Sequence, residues 1–242
     1  MKYAIVTGST KGIGKAIALK LLNKGFFVYL NFSEDEETAL ILEKQLKLHY
    51  EGMFKVIKKN LHSLNSVKEF CDIILKDTNS LDVLVLNTGI TDRSRFEEIT
   101  EKKWNNIMNV NLNAPFFLVQ NLNSFLNRKN GRIIFIGSKM GEVPHAISIA
   151  YGVSKAAIHQ LSKQLVKEYA GTGITINTIA PGFVETPWQI EKTYEHRKRI
   201  CDKTAVGRFA DPKEIAELCY HVIENNYING AILNIDGGYD YK

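Results

Sequence analysis

Thr7-Gly8-Ser9-Thr10-Lys11-Gly12-Ile13-Gly14 follows the short apolar run Tyr3-Ala4-Ile5-Val6 and leads into Lys15-Ala16-Ile17-Ala18. The run before it is strand-like and the run after it is helical, so the glycines occupy a tight strand-to-helix turn. Glycines permit that turn and let backbone approach a pyrophosphate, which the free N–H groups and positive dipole end of the helix stabilise. A glycine-rich turn carries little by itself; between a first strand and a first helix it points to a dinucleotide. The spacing differs from plain G-x-G-x-x-G, and the Gly-Lys-Ser/Thr ending of a triphosphate-binding loop is absent. Hydride chemistry is therefore favoured over phosphoryl transfer, with Gly8, Ser9, Thr10, Lys11, Gly12, Ile13 and Gly14 expected at the cofactor.

Outward from this turn, short β-rich runs alternate with longer segments of helical period, the pattern of βαβ crossovers building a parallel sheet. Strands are predicted near 2–7, 27–31, 54–59, 82–86, 131–136, 174–180 and 231–235, and helices near 12–24, 35–49, 63–77, 101–127, 151–170 and 211–224. Val83-Leu84-Val85-Leu86 and Ile133-Ile134-Phe135-Ile136 are apolar throughout, as expected where helices cover both faces of a sheet. No Gly/Ser/Pro-rich linker or repeat divides the 242 residues, so 1–242 reads as one α/β domain. The irregular, charged and aromatic stretch 183–210 follows Pro181-Gly182 at the end of a strand, where ligands bind in such folds, and is expected to be a substrate lid.

Composition narrows the alternatives. The net charge of +5 comes from 31 basic residues interspersed with 26 acidic ones, which argues against a nucleic-acid face. Cys71, Cys201 and Cys219 lack the spacing of a zinc or redox motif, and no metal is expected. The first strand begins almost at Met1, leaving no room for a cleavable leader, and no apolar run approaches the roughly 20 residues a membrane helix needs. The expectation is a cytoplasmic protein.

The end of the second predicted strand bears on the cofactor. It reads Asn31-Phe32-Ser33, with no carboxylate before Glu34, whereas NAD sites commonly place an acid there to hold the ribose 2′-hydroxyl. Asn31 and Ser33 can donate hydrogen bonds and Lys11 adds positive charge, so NADP(H) is expected, with Asn31, Phe32 and Ser33 beside its ribose.

Tyr151 and Lys155 stand four residues apart on a predicted helix and so share one face. A lysine ammonium beside a phenol favours the phenolate and lowers its pKa, and such a tyrosine can exchange a proton with a carbonyl oxygen. Tyr194 and Lys198 have the same spacing. What separates the pairs is Ser138, thirteen residues before Tyr151 and just past an apolar strand, where its hydroxyl can bond a substrate oxygen.

Taken together, Thr7, Gly12-Ile13-Gly14, Asn87-Thr88-Gly89, Asn111, Ser138, Tyr151, Lys155, Pro181-Gly182 and Asp236-Gly237-Gly238 resemble the short-chain dehydrogenase/reductase family over essentially the whole chain. Within it, Asn87-Thr88-Gly89-Ile90-Thr91, Gly131-Arg132-Ile133-Ile134 and the run from Ala180 to Thr186 are most similar to the ketoreductases that act on 3-oxoacyl groups carried by an acyl carrier protein. The resemblance implies a Rossmann fold with strand order 3-2-1-4-5-6-7 and pro-4S hydride transfer from NADPH to a ketone. In it Tyr151 is the acid, Ser138 polarises the ketone, Lys155 binds the nicotinamide ribose, and Asn111 holds a relay water through its backbone carbonyl. It further implies cofactor contacts from Asn60, Leu61, Asn87, Thr88, Gly89, Pro181, Gly182, Val184 and Thr186, and a homotetramer of D₂ symmetry. Thr88 replaces the family's usual alanine, and Asn60 stands where an aspartate commonly meets the adenine. For an acidic carrier protein, Arg128 and Lys129 match one family docking position beside the active-site mouth, while Thr172 occupies a second that is commonly arginine. A dehydrogenase of sugars, polyols or small hydroxy or keto compounds remains an alternative, as does a non-catalytic NADP-binding regulator.

Overall fold

Successive residues of a strand point to opposite faces of a sheet, and here both faces are apolar. In β1 (Lys2–Val6), Ala4 and Val6 enter one buried layer and Ile5 the other. The same division recurs in β2 (Phe26–Phe32), β4 (Val83–Leu86) and β5 (Arg132–Ile136), where Ile134 and Ile136 face one layer and Ile133 and Phe135 the other. The computed structural model describes residues 1–144, 148–239 and 241. With β3 (Phe54–Lys58), β6 (Thr175–Pro181) and β7 (Ile232–Ile235) the strands form one parallel sheet in the order β3-β2-β1-β4-β5-β6-β7. This is the doubly wound Rossmann topology expected from the sequence.

One layer is covered by α1 (Gly12–Asn23), α2 (Glu36–Tyr50) and α8 (Pro212–Glu224), the other by α3 (Leu64–Leu75), α5 (Ala114–Leu122) and α6 (Ile149–Glu168). The helix predicted over 101–127 is not continuous. It runs as α4 (Glu101–Met108), a π-helical turn at Asn109–Asn113, α5, and a 3₁₀ turn at Asn123–Phe125. The π turn shifts the hydrogen bonding by one residue, so the Ala114 N–H donates to the Asn109 carbonyl. A further helix, α7 (Tyr194–Lys203), lies inside the expected lid and is capped by the Thr193 side chain. It was not predicted because its run is charged and carries no apolar stripe.

All strands run the same way, so their carboxyl ends, followed by Thr7, Asn87, Ser138 and Gly182, share one edge of the sheet. Among the described residues no helix is long and apolar enough to cross a membrane, and no cluster of His, Cys, Asp and Glu could hold a metal ion.

Candidate active site

The glycine turn is stitched to the strands on either side. The Ser9 N–H donates to the Asn31 carbonyl at 2.8 Å, and the Gly8 N–H to Asn31 Oδ1 at 3.3 Å. On the other side, Thr7 Oγ1 accepts from the Asn87 and Thr88 N–H groups, while Asn87 Nδ2 donates to the Thr7 and Gly8 carbonyls, both at 2.9 Å. Gly8 and Gly12 have φ of +60° and +57°, a left-handed backbone that favours glycine. A Cβ on Gly14 would lie 2.3 Å from the Gly8 carbonyl oxygen, so helix and turn pack together only without a side chain there. The hydroxyl of Thr88 is buried beside Gly8 with no hydrogen-bond partner among the described residues, a donor left over in a cradle shaped for backbone contact. These features fit a dinucleotide.

Two ribose expectations change. Asn31 is buried, and its side chain is spent within the fold, accepting from Gly8 and donating to the Lys59 carbonyl at 2.9 Å. The side chain therefore holds the turn in shape, its hydrogen bonds satisfied within the fold. Lys11 is not a lone positive charge: its ammonium lies 3.3 Å from Asp35, the N-cap of α2. Lys11 and the Thr38 hydrogen bonds, the latter foremost, hold the Asp35 carboxyl below its ordinary pKa. Ser33 is exposed and Phe32 half-buried. Asn60 donates to Glu34 at 3.3 Å, and the Leu61 side chain belongs to the core.

Ser138, Tyr151 and Lys155 come together. Ser138 follows β5, and its hydroxyl accepts from the Met140 N–H at 3.1 Å and lies near enough to the Tyr151 phenol to lower its pKa. Lys155 is buried, and its ammonium donates to the Ile136 carbonyl at 2.7 Å and sits 5.6 Å from the Tyr151 ring centroid. A Cβ on Gly89 would stand 3.5 Å from both Lys155 Nζ and Asn111 Oδ1, so the loop after β4 closes over this pair. The pKa of Tyr151 departs from the sequence expectation. Burial raises it, opposed by the Ser138 hydroxyl, while burial pulls Lys155 down to about 8. Desolvation is the largest influence on the phenol, which keeps its proton at neutral pH.

Asn111 sits in the π turn. Its side chain accepts from the Ile90 N–H at 2.8 Å and donates to the Ile90 carbonyl at 2.9 Å and to Ser154 Oγ at 3.0 Å. It ties the loop after β4 to α6, one residue from Lys155.

Sequence reasoning missed His159 and Lys139. His159 lies one turn beyond Lys155, buried against Gly137 and Gly141, either of which would clash with it if given a side chain. Its Nε2 accepts from the Ser138 N–H at 3.4 Å, and burial holds its pKa below the ordinary histidine value. A neutral imidazole thus backs the serine. Lys139 pairs with Asp236 at 3.2 Å and Glu142 at 3.3 Å, fastening the turn after Ser138 to the end of β7. The i, i+4 helical position of His159 relative to Lys155 was the only signal for the first; for the second, Asp236 was noted without its partner.

Residues 183–210 leave β6 and return to α8, clipped at the base by Val184 pairing with Ala210. The Glu185 N–H donates to the Ala210 carbonyl and the Ala210 N–H to that of Phe183, both at 2.9 Å. Trp188 stands edge-on to Tyr151, ring centroids 6.2 Å apart, and Phe183, Pro181 and Gly182 line a cleft with Ser138. Thr186 reaches the glycine turn, where a Cβ on Gly12 would lie 3.2 Å from its methyl group; Val184 is buried. Tyr194 and Lys198 are on α7, both exposed, apart from the Ser138 cluster.

The carrier-docking expectation needs correction. Arg128, Lys129 and Thr172 do share a corner, where the Gly173 N–H donates to the Arg128 carbonyl at 2.7 Å. That corner precedes β5 and β6, whereas Ser138 follows β5, so it lies at the opposite edge of the sheet from this chain's own site. Arg128 is moreover engaged with Asn123 and the Tyr169 ring.

This is the arrangement of a dinucleotide-binding oxidoreductase. The family model described as short chain dehydrogenase matches residues 2–197, and the chain belongs to that family. It is 34% identical to the 3-oxoacyl-[acyl-carrier-protein] reductase FabG of Haemophilus influenzae over 98% of this chain and 97% of that one. The Aquifex aeolicus FabG is 30% identical over 98% and 96%. Among solved structures, the angucycline C-6 ketoreductase LanV with bound NADP superposes with a TM-score of 0.91 at 29% identity, covering 100% of this chain and 96% of that one. A Serratia marcescens short-chain dehydrogenase/reductase gives 0.92 at 28%, covering 99% and 98%.

Proposed function

We propose that this chain is an NADP(H)-dependent ketoreductase that converts a 3-oxoacyl thioester, carried on an acyl carrier protein, to the 3-hydroxyacyl product. The observation that carries the reading is the meeting of Ser138, Tyr151 and Lys155 beside the glycine cradle, under Trp188. The likeness to FabG enzymes supports the substrate class, and the NADP in the LanV structure supports the cofactor.

The glycine turn with Thr88, Asn87, Gly89, Lys155 and Thr186 would hold the cofactor, which when bound supplies the hydride. The chain's own residues handle the oxygen. The Ser138 hydroxyl, set by Met140 and His159, donates a hydrogen bond to the ketone oxygen and stabilises charge growing there. Tyr151 delivers its proton to that oxygen, and because burial keeps the phenol neutral, the donor is loaded at working pH. Lys155 stabilises the phenolate left behind and binds ribose hydroxyls, and the Asn111 backbone carbonyl holds a water that returns the proton. Trp188 and the lid exclude bulk water. We further propose a single domain with 183–210 as lid, a cytoplasmic location and a homotetramer.

A free ketone, sugar or polyol as substrate is the second reading, favoured by the position of Arg128 and Lys129 away from this chain's mouth. The test is NADPH and NADH oxidation by the purified enzyme against acetoacetyl thioesters, carrier-protein substrates and a panel of ketones and sugars. Turnover of 3-oxoacyl thioesters above every other class supports the reading; turnover confined to sugars or simple ketones overturns it.

A further inference from the structure

Two cations at the mouth of this site form no ion pair with a carboxylate of the described residues. Arg93, in the loop after β4, donates to the Trp188 carbonyl at 3.3 Å. Lys192, on the same lid turn as Trp188, places its ammonium 5.9 Å from the centroid of the Phe183 ring. Phe183 lines the cleft with Ser138, and the Trp188 ring abuts Tyr151, so Lys192 stands against a ring that lines the cleft and Arg93 against the backbone of the residue whose ring meets Tyr151. Arg197 is nearby but already pairs with Glu185 and stacks on Phe209, 4.4 Å from its centroid. Neither Arg93 nor Lys192 forms an ion pair among the described residues.

Holding unpaired like charges together is unfavourable, and more so for a half-buried ammonium. Burial first, then Arg93 and Arg197, push the Lys192 pKa down. Lys192 is half-buried against a ring, and the exposed Arg93 is held to a backbone carbonyl. A bound oxyanion would offset the repulsion, and a guanidinium with an ammonium is a common donor pair for one. The position of Lys192 against the ring that lines the cleft favours an anion on the substrate over the surface of a docking protein.

We propose that Arg93 and Lys192 form an oxyanion subsite that recognises a phosphate or carboxylate on the ketone substrate. The inference rests on the reductase reading of Ser138, Tyr151 and Lys155. The two possible sources of the oxyanion are the phosphate of a pantetheine arm and a carboxylate on a small keto compound.

The test compares two substrate pairs with the same reacting ketone: acetoacetyl-pantetheine against its phosphorylated form, and methyl acetoacetate against acetoacetate. The reading is the ratio of kcat/KM for the charged member to that for the neutral member. In the native enzyme one pair should show a ratio of about ten or more, as expected for charge-assisted hydrogen bonds, and which pair shows it names the source. The double variant Arg93→Gln, Lys192→Gln should lower that ratio about tenfold, with Lys192→Arg retaining it and Lys198→Gln serving as a control for net charge. A second readout needs no turnover. In Trp104→Phe, which leaves Trp188 as the only tryptophan, fluorescence is titrated with inorganic phosphate and with acetate. A saturable change that disappears in the double variant supports the subsite. Native ratios near one for both pairs, with no saturable change, overturn it, as does an equal loss on charged and neutral members. If the native enzyme reduces none of these ketones but the titration saturates and depends on Arg93 and Lys192, the reductase reading fails and the subsite stands.

Discussion

Lys155 and Tyr151 titrate in opposite directions from their ordinary values, and this sets the pH dependence of the reaction. The buried lysine loses its proton near 8, while the buried phenol keeps its own to higher pH than usual. As pH rises the cation therefore disappears first. For reduction, kcat/KM of the free enzyme should fall along an alkaline limb near pH 8, and a pH–rate profile locates it; a limb only above 10, the range of an ordinary tyrosine, would reverse the order. Tyr151→Phe should lower turnover by about 10² to 10⁴ while the protein stays folded and binds cofactor, with Tyr194→Phe unchanged. Native-like turnover in Tyr151→Phe removes it as the acid. His159 adds a stability effect. Its folded pKa is depressed, so as pH falls below about 6.5 the unfolded chain takes up the proton first and stability drops. His159→Gln keeps an acceptor for the Ser138 N–H without a titrating group, and its melting temperature should vary less between pH 7 and 5 than that of the native protein. Ser138, Tyr151 and Lys155 were legible because motif order and spacing carry them; His159 was not, because its i, i+4 offset from Lys155 names no chemistry by itself and its partner is a backbone N–H.

Elements show where periodicity reads well and where it fails. The strands were visible because both faces are apolar, and their observed ends differ from expectation by a residue or so, as at Phe26 and Phe32 of β2. The π turn at Asn109–Asn113 was invisible: its apolar residues continue a helical pattern, and the change lies in which carbonyl each N–H chooses. The helix start at Asp35 was equally legible, but its consequence for the cofactor was not, because Lys11 and Asp35 are 24 residues apart in sequence and meet only through β2. Their pairing weighs on cofactor choice, since Asp35 neutralises the cation invoked for a 2′-phosphate and adds a carboxylate near it. Lys11→Ala should weaken NADPH binding more than NADH binding. Asp35→Asn, which can still cap α2, should favour NADPH over NADH by about two- to fivefold, the scale of an exposed ion pair. Dissociation constants for both cofactors check this; equal changes for the two would assign Lys11 and Asp35 to the fold alone.

At the scale of the molecule, the parallel sheet separates two surfaces that the sequence reading had joined. Ser138 lies beyond the carboxyl end of β5, and Arg128 and Lys129 precede its amino end, so a five-residue strand, roughly 17 Å long, stands between them. A carrier protein attracted to that corner cannot use it to approach the site of the same chain by the shortest path; the corner is useful only if another copy's mouth lies beside it. Carrier docking at Arg128 and Lys129 therefore depends on assembly with another copy, as in the proposed homotetramer. Light scattering at micromolar concentration should show an oligomer, and Arg128→Ala, Lys129→Ala should reduce activity on carrier-bound substrate and flatten its dependence on salt, since attraction to an acidic partner is screened by ions. Mixed assemblies sharpen the test. Chains with Tyr151→Phe keep the corner and lose the acid, whereas the double variant keeps the acid and loses the corner. Co-assembled, the two should recover carrier-dependent activity above the sum of the separate variants, because an intact corner then sits beside an intact site. A monomer, or mixed assemblies no better than that sum, would remove this corner from the carrier's path and leave free ketones as the better account of the substrate.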